Sequence, residues 1–592
     1  MKSVYYFYFL LILVLFFLGC AYYYPFISDD SLISLRYAQR FIDGKGLSWN
    51  DGHPVEGYSN LLWVLLVSLF GKFNFDLILS SRILGVLCSI GTLSIIFDYL
   101  KNRFTEKEKI FIPLILLATT PCFAVWAIGG LEQPLYILLL TLVLTEVSKI
   151  IERDFKRLFF LALWLGLLAI TRPDGFLFTL TTAGFLVLLN RKEKFKILRI
   201  ILTVGLIPAL FLTGQLLFRY SYYGEFVPNT ALVKVKITLH HVLRGGFYNF
   251  KAFFGTFVLS AAGFYFLWLS VFKKKDLFAA FLLLNVIAWG AYITSVGGDI
   301  FPAYRQYYVV IILLIFATIC GLKYISFKKL SNFWKFMLFF VLLLNGVLQH
   351  FIPANHSAID ERWEFRGMQL GENLKSAFPK HTLIAVTAAG CIPYSSQLPT
   401  VDMLGLNDYY IPRHPPANFG NGPLAHELGD ANYVMKRNPD IIIFNTGNRA
   451  EDVQFNITQQ LMKNSLFRKN YIESSVYDPN NQYILYLNKY SENTGIKRSD
   501  RKIVVPGYLF SGDQNSFSVF KNGDILKILE PFKTYYLILD DVDGANWVLE
   551  LVNNGSNKDL GFTFTQDKRR LFIKIQPRKK IYLKSLVLDS GT

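Results

Sequence analysis

Two adjacent carboxylates, Asp29 and Asp30, stand where the first long apolar stretch of the chain runs out. Acids at the edge of such a stretch are costly to place, so their presence points to chemistry at a membrane face. A carboxylate there can take a proton from an attacking hydroxyl, or it can hold a divalent cation. Either Asp29 or Asp30 could serve as general base or as metal ligand. Asp30 and Glu132 would position acceptor or donor, or bind Mg, Mn or Ca between them. Glu132 sits in the tight segment Gly129-Gly130-Leu131-Glu132-Gln133-Pro134, at the mouth of another apolar stretch. The candidate substrate-binding groups are Arg172, Asp174, Lys234, Asp299, Arg305 and Glu56. Arginine grips phosphate through paired hydrogen bonds, and lysine does so as a point charge.

Each of these residues also has a plainer role. Ser28 is a good helix N-cap, and acids in the first turn suit the positive end of the helix dipole. That helix is expected to run to about Asp43 and to end at Gly44-Lys45-Gly46. Leu32, Leu35, Ala38, Phe41 and Ile42 would form its apolar face. The two roles are compatible, because a helix N-terminus keeps a carboxylate ionised. Arg172 and Asp174 flank Pro173 and could form only a local ion pair. Arg305 could snorkel to lipid headgroups. His53 stands alone in the first loop, and His240-His241 lacks metal-ligand spacing.

Long apolar stretches must position these residues. The chain has 592 residues, is 53% hydrophobic and 16% aromatic, and carries a formal charge of +18. Its mean hydropathy is +0.34. Apolar runs long enough to cross a bilayer fall near 4–24, 80–100, 110–126, 134–150, 157–171, 175–189, 198–219, 251–272, 277–295, 305–322 and 334–352. About eleven transmembrane helices are therefore expected over residues 1–352. The run from Leu61 to Phe70 is too short to span and should lie along the surface or dip in. Leu18-Gly19-Cys20 resembles a lipoprotein cleavage box. Phe17 is a poor residue for such a box, so the first stretch reads as an uncleaved span. The five cysteines give neither a disulfide framework nor zinc spacing.

The loops fall into two sets. Lys101–Lys109, Lys149–Arg157, Arg191–Lys196, Lys273–Lys275 and Lys323–Lys329 are rich in Lys and Arg and hold no motif. The positive-inside rule puts them, and the N-terminus, in the cytoplasm. The other set carries Asp29-Asp30, Glu132, Arg172-Pro173-Asp174-Gly175, residues 222–236, and Gly297–Arg305. These share the opposite, extracytoplasmic face with the tail. The excess positive charge therefore suits membrane lipids, and no nucleic-acid partner is expected.

Beyond the spans the pattern changes. Residues 353–498 read as an extracytoplasmic α/β domain, with buried strands at His381–Val386 and Ile441–Phe444. Residues 499–592 read as a small β-sandwich module that could bind carbohydrate. Its strands alternate apolar and polar residues, and turns are expected at Asp543-Gly544 and Asn553-Asn554-Gly555.

Taken in order, several blocks resemble a known group. They are Ser28-Asp29-Asp30, Arg36-Tyr37-Ala38, Gly44–Asn50, Val55-Glu56-Gly57-Tyr58-Ser59-Asn60-Leu61-Leu62-Trp63, Gly130–Leu135, Arg172–Gly175, Pro228-Asn229-Thr230, Gly297-Gly298-Asp299 and Asp402–Asp408. They resemble GT-C glycosyltransferases, especially the family of the terminal arabinofuranosyltransferase, over about residues 1–410. The resemblance implies a polytopic α-helical GT-C fold and a polyprenyl-phosphate-linked sugar donor. It also implies transfer on the outer face of a bacterial inner membrane, with Asp29 as the base. The acceptor would be a glycan, lipid or protein, and a monomer is expected. Two other classes stay open: a lipid-linked sugar flippase or transporter, and a non-catalytic receptor or assembly protein.

Overall fold

A computed structural model describes residues 2–234, 236–499, 502–512, 516–540, 547–552, 560–567 and 570–590. The chain divides into two compact units. One comprises Met1–Arg362 with Asn418–Leu424, and the other Trp363–Ala417 with Ala425–Thr592.

The first unit is helical. Its first helix, Lys2–Tyr23, leaves Tyr6, Leu10, Val14 and Phe17 exposed, as a lipid-facing helix does. The segment Pro302–Leu322 is the opposite case. Every side chain of its helix Tyr308–Leu322 is buried, against Lys107–Ala118, Phe257–Trp268 and Leu277–Val296 among others. It forms the centre of the bundle.

Among the described residues, seven helices are long and apolar enough to cross a membrane, or nine if each of two bent pairs is one span. Every stretch expected to span is largely helical, though several are short or bent. Leu158–Thr171 and Phe176–Leu189 have 14 residues each. At 1.5 Å per residue such a helix covers roughly 21 Å of a hydrocarbon core about 30 Å thick. The expected span at 110–126 is broken at Thr119-Thr120-Pro121, where Lys107–Ala118 and Pro121–Ile128 meet at 55°. Proline suits the first turn of the second helix and cannot continue the first. The stretch expected at 251–272 is also divided. Leu239–Gly255 meets Phe257–Lys273 at 101°, so the crossing segment begins only at Thr256. Leu61–Gly71 is an 11-residue helix, too short to cross.

The two kinds of loop occupy opposite ends of the bundle. Helix Leu77–Lys101 shows both ends. Near its start Arg82 donates to the carbonyls of Phe26 and Ile128, at 2.9 and 3.3 Å. Just beyond its end Arg103 pairs with Glu152 at 2.6 Å. At that basic end the Phe327 amide also donates to Glu106 at 2.7 Å.

The second unit is built on an eight-stranded sheet. Three short parallel strands, Thr400–Asp402, Ile384–Val386 and Ile441–Ile443, form one side. Antiparallel Gln482–Asn488 and Tyr471–Tyr477 follow, and then Ser518–Lys521, Asp524–Leu529 and Ile581–Leu583. The expected α/β strands are present. The sheet, however, runs across the domain boundary drawn at 498/499, because Tyr471–Tyr477 pairs in parallel with Ser518–Lys521. Hydrogen bonding along one strand edge joins segments that composition had separated. Among the described residues the remaining strands form two four-stranded sheets. In Arg570–Pro577 buried and exposed residues largely alternate, the mark of a sheet with one covered face. Asp543-Gly544 and Asn553-Asn554-Gly555 lie outside the described residues.

Candidate active site

The site is assembled from helix ends at the motif-bearing end of the first unit. Asp29 and Asp30 open the helix Asp29–Ile42, as expected, with extended Ser28 in the N-cap position. The Ser28 hydroxyl makes no capping bond, and its backbone carbonyl instead receives the Ser31 amide and hydroxyl. The Ser28 amide donates to Gly129 at 3.2 Å, which fastens the first loop to the second. Gly130 has φ +84°, and a Cβ there would lie 2.8 Å from Ser31 Oγ. Glycine is needed at that position for both reasons. The Trp63 indole donates to the Gly130 carbonyl at 3.0 Å and closes the junction.

Glu132 is buried at the start of helix Gln133–Ile151 and is surrounded by donors. Arg172 Nη1 lies 2.7 Å from Oε1, which Gln133 Nε2 also reaches at 3.1 Å. Asn60 Nδ2 donates to Oε2 at 2.8 Å, and Asn60 also bonds Ser34 of the aspartate-bearing helix. Arg172 spans two carboxylates, since its Nη2 meets Asp174 Oδ2 at 2.7 Å. The Tyr292 hydroxyl donates to the same Asp174 oxygen at 2.9 Å.

A second arginine stands on the central segment. Arg305 Nε donates to Asp299 Oδ2 at 2.6 Å, and its Nη2 reaches Oδ1 at 3.1 Å. Its Nη1 lies 4.0 Å from Asp30 Oδ2. The guanidinium stacks over Phe301 at 4.1 Å. Ala303 and Tyr304, just before it, adopt φ of +54°, a conformation that non-glycine residues seldom take. Strain of this kind is held by surrounding packing and gathers at functional sites. Arg172 and Arg305 line one cavity, together with Gln133, Tyr136 and Trp289.

Six of the predicted residues therefore belong to two linked clusters, Glu132–Arg172–Asp174 and Asp30–Arg305–Asp299, with Asp29 beside Asp30 on the helix start. Glu56 belongs elsewhere. It is buried and bound through both oxygens by Arg219, whose Nη2 lies 3.0 Å from Oε1. This pair, with the Tyr223 hydroxyl donating to the Leu47 carbonyl at 2.7 Å, anchors the first loop on helix Leu206–Tyr223. Lys234 ends the short helix Asn229–Lys234, and its side chain lies outside the described residues.

Asp30 and Glu132 face different arginines, Arg305 and Arg172. No three His, Cys, Asp or Glu side chains among the described residues converge to hold a metal ion. Both Glu132 oxygens already accept from nitrogen donors.

Asn60, Tyr292, Arg82 and Arg219 were not singled out from the sequence. For the two arginines a signal existed, because a charge inside an apolar stretch needs a partner. Asn60 lies within the quoted motif Tyr58-Ser59-Asn60, but spacing could not show that it bridges Ser34 and Glu132.

Known proteins resemble parts of this chain. Residues 59–215 match the family model described as dolichyl-phosphate-mannose-protein mannosyltransferase, and residues 357–494 match a domain of unknown function, DUF8728. The terminal beta-(1->2)-arabinofuranosyltransferase of Mycobacterium tuberculosis is 26% identical over 227 residues, 35% of this chain and 35% of that protein. The same-named protein of Corynebacterium glutamicum is 28% identical over 232 residues, 35% of this chain and 33% of that protein. The chain thus spans about a third of the length of the curated relatives it matches. Among solved structures, ArnT from Cupriavidus metallidurans in the apo state superposes with a TM-score of 0.55 at 11% identity, covering 82% of this chain and 98% of ArnT. Its form bound to undecaprenyl phosphate gives 0.50 at 11% identity, covering 68% and 86%. The helical bundle, its broken spans and these likenesses agree: the chain is a multi-pass membrane protein of the GT-C fold, and it resembles glycosyltransferases, the terminal arabinofuranosyltransferases among them.

Proposed function

We propose that this protein is a membrane glycosyltransferase. It would move a sugar from a polyprenyl-phosphate carrier to a hydroxyl of an envelope glycan or lipid, on the extracytoplasmic face of a bacterial inner membrane. The observation that carries this reading is the convergence of Arg172 and Arg305, each fixed by carboxylates, with Asp30 only 4.0 Å from Arg305 at the helix end that Asp29 opens.

In this mechanism Asp29 removes the proton from the acceptor hydroxyl as its oxygen bonds to the anomeric carbon. The bond from that carbon to the phosphate oxygen breaks, and polyprenyl phosphate departs with the electron pair. Arg305 and Arg172 oppose the charge that grows on the phosphate. They are fixed in advance by Asp299 and by Glu132 with Asp174, so little reorganisation is needed at the moment of reaction. Asp30 faces Arg305 and helps to set the position of Asp29 on the helix start.

The test is mass spectrometry of envelope glycans, lipids and glycoproteins from a deletion strain beside an Asp29→Ala strain. Loss of one defined sugar from the same glycan or lipid in both is expected. An unchanged profile in the Asp29→Ala strain would overturn the role of Asp29. Loss confined to glycoproteins would move the acceptor class to protein.

A further inference from the structure

The second unit contains a groove that the transfer mechanism does not use. It has a volume of about 540 Å³, within the roughly 300–1,000 Å³ typical of small-molecule sites. One wall follows the strand Ile441–Ile443, where Asn448, Arg449 and Asp452 stand just past its carboxyl end. That strand belongs to the parallel part of the sheet, and open parallel sheets bind ligands outside the carboxyl ends of their strands. The other wall is the turn between Tyr471–Tyr477 and Gln482–Asn488, which presents Asn480 and Asn481.

Both walls are fixed before any ligand arrives. Asp478 accepts the amides of Asn480 and Asn481 at 2.8 and 2.7 Å and the Tyr483 hydroxyl at 2.7 Å. Gly447 has φ +86° and packs so closely on Tyr483 that a Cβ would lie 3.0 Å from Tyr483 Cβ. The Ile484 amide donates to the Gly447 carbonyl at 2.9 Å and ties the two walls together. Arg366 joins them from helix Trp363–Ala377. Its Nη2 donates to the carbonyls of Gln482 at 2.6 Å and Gly447 at 3.4 Å. Its guanidinium also lies over the Tyr483 ring, 5.5 Å from the centroid.

The chemistry of this lining selects a ligand class. Carboxamides, two guanidiniums and one carboxylate dominate it, and Ile484 supplies its one aliphatic side chain among the described lining residues. A peptide with apolar side chains would find little to bury. A polyanion would meet no net positive field, because Asp452 and Glu473, which pairs with Arg449 at 3.3 Å, balance the two arginines. A run of ring hydroxyls, each both donor and acceptor, matches amides, guanidinium and carboxylate together.

We infer that this groove is a binding site for a neutral oligosaccharide. It lies wholly within residues 357–494, before the 499–592 segment for which carbohydrate binding was expected from the sequence. The inference concerns binding alone and does not depend on the transfer reaction.

The test uses the full-length protein in lipid nanodiscs. The probes are fluorescently labelled oligosaccharides of three to six units, from glucan, mannan, arabinan and galactan, beside a heparin fragment. One neutral class should bind, and the Asp452→Ala/Asn480→Ala double variant should weaken it by about tenfold or more, as expected for losing a hydrogen bond to a charged group. Both positions are exposed, so the fold should survive, and an unchanged melting temperature checks this. An Asp29→Ala protein should bind like the wild type, which separates failure of this inference from failure of the proposed reaction. Binding by no neutral oligosaccharide, equal binding by the double variant, or preferential binding of heparin would each overturn it.

Discussion

Arg172 and Glu132 are 40 residues apart in sequence and 2.7 Å apart in the folded chain, and the same guanidinium also holds Asp174 at 2.7 Å. The contact links the loop before Gln133–Ile151 to the one between Leu158–Thr171 and Phe176–Leu189. Asn60 carries the link on to Ser34 of the aspartate-bearing helix. A lysine could not span both carboxylates, since it lacks the planar fork. Arg172→Lys is therefore expected to slow transfer by about 10²-fold, the order seen when one positioned donor is removed. Steady-state transfer from a synthetic polyprenyl-phosphate sugar in nanodiscs measures it, and wild-type turnover would show that Arg172 is not needed at the reacting phosphate.

Asp29 and Asp30 should separate in single-turnover experiments. Asp29→Asn is expected to lower the chemical step by roughly 10²–10⁴-fold, the usual contribution of a general base. Asp30→Asn should cost less, since Asp30 faces Arg305 across 4.0 Å and helps to orient it. The reverse ranking would assign the base to Asp30.

The Glu56–Arg219 pair should behave as structure. Arg219→Met leaves Glu56 buried without its cation, and breaking such a pair costs about 3–5 kcal/mol. A double Arg219→Met/Glu56→Leu variant should recover much of this, because replacing a buried ion pair with apolar side chains is often neutral. Thermal melting of the purified variants reads the difference. A double variant no more stable than the single one would refute the assignment.

Gly130→Ala should be harmful for its size. It forces a side chain into φ +84° and against Ser31. Strain of this kind costs about 1–3 kcal/mol. A lower melting temperature together with slower transfer is expected, because the shifted loop also carries Glu132.

The tail should respond to acid through Asp402. Burial pushes its carboxyl up from 3.8 to about 6, against the pull of amides from Asn407 and Leu404. A group whose folded pKa is raised stabilises the fold fully below its unfolded value and loses that contribution as pH rises through its folded value. The unfolding free energy of the second unit should therefore fall by a contribution on the order of 3 kcal/mol between about pH 4 and pH 6, read as a falling melting temperature. Asp402→Asn should remove this slope. A slope that persists in the variant would place its origin elsewhere.

The fold was legible where single-residue physics repeats along the chain. Runs such as Lys2–Tyr23 and Leu277–Val296 announce themselves by length and hydropathy. The breaks were less legible. Proline at 121 marks one and Gly255 stands at the other, but neither local signal gives the 101° angle, and at Gly255 the backbone packs so closely on Tyr304 that a Cβ would run into its ring. The sheet of the tail crosses residues 498/499 for a related reason. The parallel pairing of Tyr471–Tyr477 with Ser518–Lys521 joins residues about forty apart, and no local pattern encodes it.

By itself, the sequence determined that the chain would place Asp29, Asp30, Glu132, Arg172, Asp174, Asp299 and Arg305 at helix ends on one side of a hydrophobic bundle. Apolar length and the lysine-rich loops leave few other arrangements. Only the tertiary structure decided which charges meet. It gave Arg172 to Glu132 and Asp174, Arg305 to Asp299 and Asp30, and Glu56 to Arg219. A buried charge must find its opposite at about 3 Å, and which opposite is within reach depends on how helices distant in sequence pack together.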